Sequence, residues 1–477
     1  MADRLKRTGP APKVGILHLG PGAFFRAHLA VYTDEAMGAA GGDWGICAVS
    51  LQSARARDQL APQGGVYNAV ELGPKGRVPR QVGAIAQVLV APENPNAVIA
   101  RLADPAVRIV SLTITEKGYG HDPATGRLDG ARAGIAADLA APDYPKTAIG
   151  LLAAGLAARH AAGGGPLSIL SCDNLMGNGA VTRAVLCDYA ARRDAGLARW
   201  IEAECSFPAT MVDRITPATT PADLVQLEAQ IGLRDEAAVM HEPYRQWVIE
   251  DRFAAGRPAW EQAGAEMVSD VAAHERMKLR CLNGAHSALA YLGGLIGHTT
   301  IAEAAGDPVL AAFCTRLWRE DVVPTVPAPQ GSDMASYCAA LLARFQNPAI
   351  AHRTAQVAMD GSQKLPARIV TPMTEHLAVG RVPGGLILVL AGWLRYIAGK
   401  DEAGRPVALS DPLAATLRAV HRHTTDPAEI VNRILALDAI FPPALAADPR
   451  LQSALRDAYR AIASRGVRAA LRGFISS

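Results

Sequence analysis

The sequence predicts an α/β domain followed by an all-helical one, and three observations carry that division. Short, β-rich apolar runs bounded by Gly, Pro or Asp lie at Val14 to Leu19, Trp44 to Leu51, Val107 to Thr115 and Leu167 to Cys172, the length and composition of buried strands. The first run passes directly into Gly20-Pro21-Gly22 and a helical AHLAVYTDEAM. From about His274 onward the apolar spacing becomes helical, and breaks fall at Asp307-Pro308, Asn347-Pro348 and Pro442-Pro443. A chain of 477 residues is long enough for two cores. The expected domains are therefore residues 1–274 and 275–477.

A strand, a glycine turn and a helix in that order form the setting a dinucleotide pyrophosphate needs. Glycines let the backbone approach the phosphates, and a helix N-terminus favours their charge. This reading makes the first domain a dinucleotide-binding domain, with Gly20, Gly22, Ala23, Phe24 and Phe25 as cofactor-binding candidates. Phe25 stands where the usual fingerprint has its third glycine. After the second run, where NAD-specific enzymes commonly carry an acid, the chain reads Ser50, Gln52, Ser53, Arg55 and Arg57. NAD is expected and NADP stays open, although both arginines equally suit a solvated helix start.

In an open parallel sheet the carboxyl ends of the strands face the ligand crevice. Glu116-Lys117-Gly118-Tyr119 and Asp173-Asn174 follow two of the runs, and Asp213 and Arg214 lie in MVDRITP, another strand end. Asp173 and Asn174 equally suit an Asx turn or a helix cap. The segment Glu242 to Asp251 is rich in hydrogen-bonding groups.

The helical half begins with KLRCLNGAH, Lys278 to His286, between apolar positions that suit a buried helix. On an α-helix Lys278 and His286 lie about 80° apart and Asn283 about 60° from His286, so one face is expected to carry all three. A lysine held against apolar neighbours exchanges a proton near neutral pH. Asn283 can donate to an oxygen gaining negative charge, and His286 can fix a hydroxyl. Together they suit interconversion of an alcohol and a ketone, provided a hydride carrier binds elsewhere. The same residues also suit a solvent-reaching lysine, a turn before Gly284 and a core histidine.

Composition removes other classes. With 48 basic and 45 acidic side chains, a formal charge of +3 gives no reason to invoke nucleic acid or an anionic membrane. Seven cysteines without a CxxC pair make neither a disulfide framework nor a zinc site. The close pair His421 and His423 lacks cysteine or carboxylate ligands at metal spacing, so no metal is expected. There is no GxSxG elbow for a serine hydrolase. The N-terminal MADRLKRTGPAPK does not read as a signal peptide, and GGLILVLAGWLRYIAG is broken by Arg395 short of the ~20 residues a spanning helix needs. A cytoplasmic protein without a membrane partner is expected.

These residues also carry a resemblance. KLRCLNGAH is similar to the lysine, asparagine and histidine signature of the mannitol dehydrogenase family, the polyol-specific long-chain dehydrogenases. GPGAFFRAH, SLTITEKGYGHD, SCDNLMGNGAVTR, MVDRITP, EPYRQWVIEDRFAAGRPAWE and AMDGSQKLPAR extend it over nearly the whole chain. The resemblance implies a zinc-independent NAD(P)-dependent oxidoreductase with an extended Rossmann-type domain and an all-α substrate domain that closes over a small sugar acid or polyol, acting as a monomer or small homo-oligomer. It implies Lys278 as general acid/base, Asn174 and Asn283 as the pair holding the substrate oxygen, and His286 as the orienting histidine. Asp213 and Lys364 fall on further family site positions.

Within the family, TEKGY, EPYRQWVIED and HRTAQVAMDGSQKLPAR look most like the fructuronate reductase branch, which interconverts D-fructuronate and D-mannonate. A uronate needs a cationic receptor, and Arg280, Arg353, Lys364 and Arg368 are the substrate-binding candidates. Oxidation of mannitol, arabinitol or sorbitol is the alternative. A catalytically silent sugar sensor on the same fold is the remote one, disfavoured because a sensor has little use for the proton-transfer lysine.

Overall fold

Val14–Leu19 forms a strand over its full expected length. In the computed structural model it is the centre of a five-stranded, all-parallel sheet ordered Ile85–Val90, Gly45–Ser50, Val14–Leu19, Ile109–Leu112, Ser168–Ser171. The structure describes residues 2–122, 124–422 and 424–476. The chain divides into two units, Met1–Ala272 and Ala273–Ser477.

The sheet is buried on both sides because successive residues of each strand enter different cores. Ile16 and Ile109 point into one apolar cluster with Phe25, Tyr32, Trp247 and Trp260, while Leu17 and Val110 point into another with Leu102, Leu152 and Val185. That two-sided burial explains why the runs read as continuous apolar stretches rather than as alternating patterns. From Val14–Leu19 the chain crosses to Gly45–Ser50 on one side, and Ile109–Leu112 lies on the other. The order therefore reverses beside the first strand, where open α/β sheets bind ligands.

Two small sheets were not foreseen. Tyr67–Gly73 pairs antiparallel with Gly76–Val82 and parallel with Val239–His241, and Gln246–Glu250 lies between Thr210–Asp213 and Glu266–Val268. The helix after the glycine turn is also less regular than expected. Ala23–Ala27 ends at His28, with φ −126° and ψ −92°, before Leu29–Ala40 resumes.

The second unit contains helices and isolated bridges only, among the described residues. Asp307-Pro308 proves to be a helix start rather than a loop: the Asp307 carboxylate caps Pro308–Leu317 by accepting from the amides of Val309 and Leu310. The apolar GGLILVLAGWLRY forms the helix Gly384–Tyr396, buried in this unit's core. No helix among the described residues is long and apolar enough to cross a membrane.

Candidate functional site

In the first unit the polar groups gather at the carboxyl ends of the sheet. Gly20 has φ +91°, and a Cβ there would stand 2.2 Å from the Thr113 carbonyl oxygen. Only glycine satisfies both constraints. Gly22 differs: a Cβ on it would meet only the Gly20 carbonyl, at 4.0 Å, so protein packing leaves this backbone approachable.

Beneath the turn lies His18, fully buried. Its Nδ1 is 2.8 Å from the Ser111 hydroxyl, and its Nε2 is 3.1 Å from the Gly20 carbonyl and 3.0 Å from Thr113 Oγ1. Burial pushes its pKa down to about 3, so it is neutral. The tautomer that satisfies both nitrogens donates from Nε2 to Gly20 and accepts at Nδ1 from Ser111.

Phe25 corrects a sequence expectation. Its ring is fully buried and stacks on His18 at 3.6 Å between centroids, 10° from parallel. The side chain at the third-glycine position is thus packed against His18 inside the unit. Ala23 and Phe24 lie above it, part-buried, with Phe24 stacked on His28.

Asp173 ties two strand ends together. Its carboxylate accepts from the amides of Ile114 and Thr115 at 2.9 and 3.0 Å and from the Tyr119 hydroxyl at 2.8 Å. Burial raises its pKa and those bonds oppose the rise. Thr115, at φ +64°, is held in a conformation that non-glycine residues seldom adopt. It leads into the short turn Glu116–Tyr119, where Glu116 and Lys117 are exposed. Asn174 follows Asp173 and is exposed, whereas Asp213 is buried at the end of its strand.

Asn178 was not singled out from sequence. Fully buried, it donates to the Thr210 carbonyl at 2.9 Å and accepts from the Thr210 amide at 3.0 Å, clamping Ser168–Ser171 beside Thr210–Asp213. Its place in GNGAV was the only signal. Near the end of Gly45–Ser50, Arg57 is engaged by Asp58 and Glu93, while Arg55 is exposed.

In the second unit the expected uniform α-helix is absent. Lys278–Asn283 is a π-helical turn, closed by an i→i−5 bond from the Gly284 amide to the Leu279 carbonyl, and Gly284–Ala288 then continues as α-helix. An α-helix would set Lys278 and Asn283 about 140° apart. The wider i→i−5 turn narrows that angle, so Lys278 and Asn283 come closer to one side, with His286 three residues on. Two contacts fix the turn. Cys281 is hydrogen-bonded to the Cys338 thiol, and Gly284 faces the Arg368 carbonyl, 3.5 Å from where a Cβ would be. Arg368 sits on a second π-turn, Pro366–Val370.

His286 is 7% exposed. Its ring stacks on Phe345 at 4.5 Å and meets His352 edge-on at 5.4 Å. Burial holds its pKa well below the usual imidazole range, and His352, Arg368, Arg344 and Lys364 lower it further.

The four proposed carboxylate receptors separate. Arg280 departs from expectation: it is buried, forms a bidentate pair with Glu375 at 2.6 Å to each oxygen, and donates to the Thr325 carbonyl at 2.5 Å. Those bonds occupy its fork inside this unit. Arg353 is exposed, with its backbone bridged to Thr300. Lys364 reaches the Val357 carbonyl at 3.4 Å, and Arg368 lies 3.2 Å from the Ser287 hydroxyl and 3.4 Å from the Asn283 carbonyl. No group of three or more His, Cys, Asp or Glu among the described residues could hold a metal ion. His421 bonds to the Leu394 carbonyl at 2.9 Å, and His423 lies outside the described residues.

Residues 14–262 match the family model of the mannitol dehydrogenase Rossmann domain, and residues 270–463 match the mannitol dehydrogenase C-terminal domain. The chain belongs to the mannitol dehydrogenase family. It is an oxidoreductase of that family, with a Rossmann-type domain and a helical C-terminal domain. Among its relatives in this family, the D-mannonate oxidoreductase of Escherichia coli is 41% identical over 95% of this chain and 94% of that protein. The mannitol 2-dehydrogenase of Aspergillus terreus is 40% identical over 98% and 94%. The structure of Pseudomonas fluorescens mannitol 2-dehydrogenase, a ternary complex with NAD and D-mannitol, matches with TM-score 0.86 and 40% identity over 98% of this chain and 95% of that one. Overall identity thus does not separate the sugar-acid branch of the mannitol dehydrogenase family from the polyol branch.

Proposed function

We propose that the protein interconverts D-fructuronate and D-mannonate, with Lys278 as the proton-transfer group and NAD as cofactor. The observation that carries the chemistry is the π-turn, which holds Lys278 and Asn283 within one widened turn, with His286 on the helix that follows.

The residues of the first unit fit the cofactor. The backbone at Gly20, Gly22, Ala23 and Phe24 would hold its phosphates, with Gly22 unobstructed, and Glu116, Lys117 and Asp213 are the remaining candidates at the strand ends. Engagement of Arg57 by Asp58 and Glu93 removes one candidate for a 2′-phosphate and so favours NAD over NADP. When bound, NAD supplies or accepts the hydride.

The chain's own residues manage the oxygen and the proton. The Lys278 ammonium delivers a proton to the ketone oxygen in reduction, and neutral Lys278 takes it back in oxidation. The Asn283 amide donates to that oxygen as charge develops on it, and the family resemblance assigns Asn174 the same task. His286 orients the substrate, while Lys364 and Arg368 set a positive field around it.

The sugar-acid assignment draws support from the TEKGY, EPYRQWVIED and HRTAQVAMDGSQKLPAR motifs and from the D-mannonate oxidoreductase relative. Mannitol oxidation is the second reading, favoured by the Aspergillus and Pseudomonas mannitol 2-dehydrogenases. Initial rates of NAD and NADP reduction with D-mannonate and with D-mannitol decide between them. A kcat/KM for D-mannonate at least about tenfold above that for D-mannitol is expected, the size of one good charge-assisted contact. Preference for D-mannitol would overturn the sugar-acid assignment.

A further inference from the structure

All seven cysteines are free thiols, and two of them meet. Cys281 stands inside the Lys278–Asn283 turn and Cys338 on the helix Met334–Phe345, with a hydrogen bond between their side chains. Both belong to the core of the helical unit, Cys281 without exposure and Cys338 at 7%. On the same helix Ala335, Ser336, Ala339 and Ala340 are exposed. Cys338 is thus on the inward side of a surface helix, with Cys281 as its inner neighbour.

The pair differs chemically from the other five. Cys47, Cys172, Cys187, Cys205 and Cys314 are each pushed up by burial, which keeps them protonated and inert. In the pair, the hydrogen bond from Cys281 holds Cys338 below the ordinary thiol value, against burial and the Asp333 charge, and Cys281 is raised as the donor. A sulfur with thiolate character beside a second thiol is an attacking group with its resolving partner in place. Position gives the pair its consequence. Cys281 shares its turn with Lys278 and Asn283, and its carbonyl accepts from Trp318 Nε1 at 2.8 Å. About two helical turns past Cys338, Phe345 stacks on His286. One helix therefore braces the functional segment twice, with a cysteine at the turn and a phenylalanine at the imidazole.

We propose that Cys281 and Cys338 form a reversible oxidation site, at which a peroxide closes a disulfide that draws the Lys278–Asn283 turn out of place and stops turnover. The Cys338 thiolate attacks one peroxide oxygen and breaks the O–O bond, leaving a sulfenic acid on Cys338 and a hydroxide that takes up a proton as water. The Cys281 sulfur then attacks the Cys338 sulfur, and the sulfenic oxygen leaves with the Cys281 proton as a second water. Two thiols have lost two electrons and two protons, and one hydrogen peroxide has become two waters. The new bond sets the sulfurs about 2.05 Å apart, closer than any hydrogen-bonded contact, so the turn must move toward the helix. A thiol reductant reverses the step by exchange.

The test treats the reduced, purified protein with hydrogen peroxide and reads two quantities. Peptide mapping under non-reducing conditions needs no substrate; kcat is measured with NAD and whichever of D-mannonate and D-mannitol the protein oxidises faster, so the result does not depend on the sugar-acid assignment. The expected outcome is a peptide pair joined through Cys281 and Cys338 and a fall in kcat of about 10²-fold, the cost of a misplacement of about 1 Å at a reacting centre. Dithiothreitol should undo both. Cys338→Ser keeps a hydrogen-bonding side chain but cannot close the bond, so peroxide should leave its own untreated rate unchanged. Cys187→Ser, which removes the one half-buried thiol, should stay as sensitive as the wild type. Absence of the joined peptide, an equal loss of rate in Cys338→Ser, a disulfide that forms without slowing turnover, or a loss that dithiothreitol does not reverse would each overturn the proposal.

Discussion

Each unit holds a buried, neutral imidazole at its chemical centre, and the two are used in opposite ways. His18 has both nitrogens satisfied by Ser111, Gly20 and Thr113, whereas His286 keeps Nε2 unpartnered. Burial depresses both, so neutrality does not distinguish them. Hydrogen-bond completeness does. The saturated ring is a strut that holds a backbone shape, and the open one keeps a nitrogen free of protein bonds. Around His18 the working surface is main chain, fixed by a glycine; around His286 it is side chains, fixed by an irregular helix.

The largest effect that would break this contrast is expected at Lys278. Lys278→Ala should lower kcat by about 10²–10⁴, the usual contribution of a positioned acid/base, while NAD affinity measured by protein fluorescence stays at the wild-type value. Retained turnover, or a loss of NAD affinity to match, would remove the division of labour.

Gly20→Ala should act the other way. The added Cβ meets the Thr113 carbonyl at 2.2 Å and the residue must hold φ +91°, a conformation costing roughly 1–2 kcal/mol for an L-residue before the clash is counted. NAD binding in the same titration should weaken at least about tenfold; unchanged affinity would show that the turn does not hold the cofactor.

A smaller effect sharpens the role of His18. Its folded pKa of about 3 lies below the ordinary 6.5, so between those values the unfolded chain binds a proton that the folded one refuses. Stability must then fall as pH drops below 6.5, by up to about 1.4 kcal/mol per pH unit for this group. Denaturation midpoints at pH 7.5 and 5.5 should show a smaller acid loss in His18→Gln than in the wild type. Equal losses would mean that His18 is not held neutral.

The central sheet was readable because its strands are buried on both faces and stay apolar throughout. Val14 to Leu19 and its neighbours announce themselves by composition alone. Ile85–Val90 was overlooked at the sheet edge, where half-exposure mixes polar residues into the run. In Gly76–Val82, Arg77, Pro79 and Arg80 disguise an edge strand whose proline needs no ladder bond. Val239–His241 and Glu266–Val268 are too short to register as a period.

At the site, Lys278, Asn283 and His286 were visible by residue type, and their relative placement was not. Helical-wheel reasoning presumes 3.6 residues per turn, and nothing in KLRCLNGAH signals the wider one. Arg280 misled because a sequence gives no sight of Glu375, its partner far along the chain. His352 went unremarked for the converse reason: its relation to His286 exists only once separate segments of the helical unit have packed.

The π-turn has an evolutionary side as well. It holds one residue more than an α-helical turn would need, so its length is a heritable character of the site. Deleting a single residue between Leu279 and Leu282 would let the segment relax to α-helix, in which Lys278 and Asn283 become residues four apart, about 40° around the axis. The pair would stay on one side. In a comparison of descendants of this chain, a one-residue gap inside the turn preserves the pair, whereas the same gap between Asn283 and His286 would rotate His286 by about 100° relative to it.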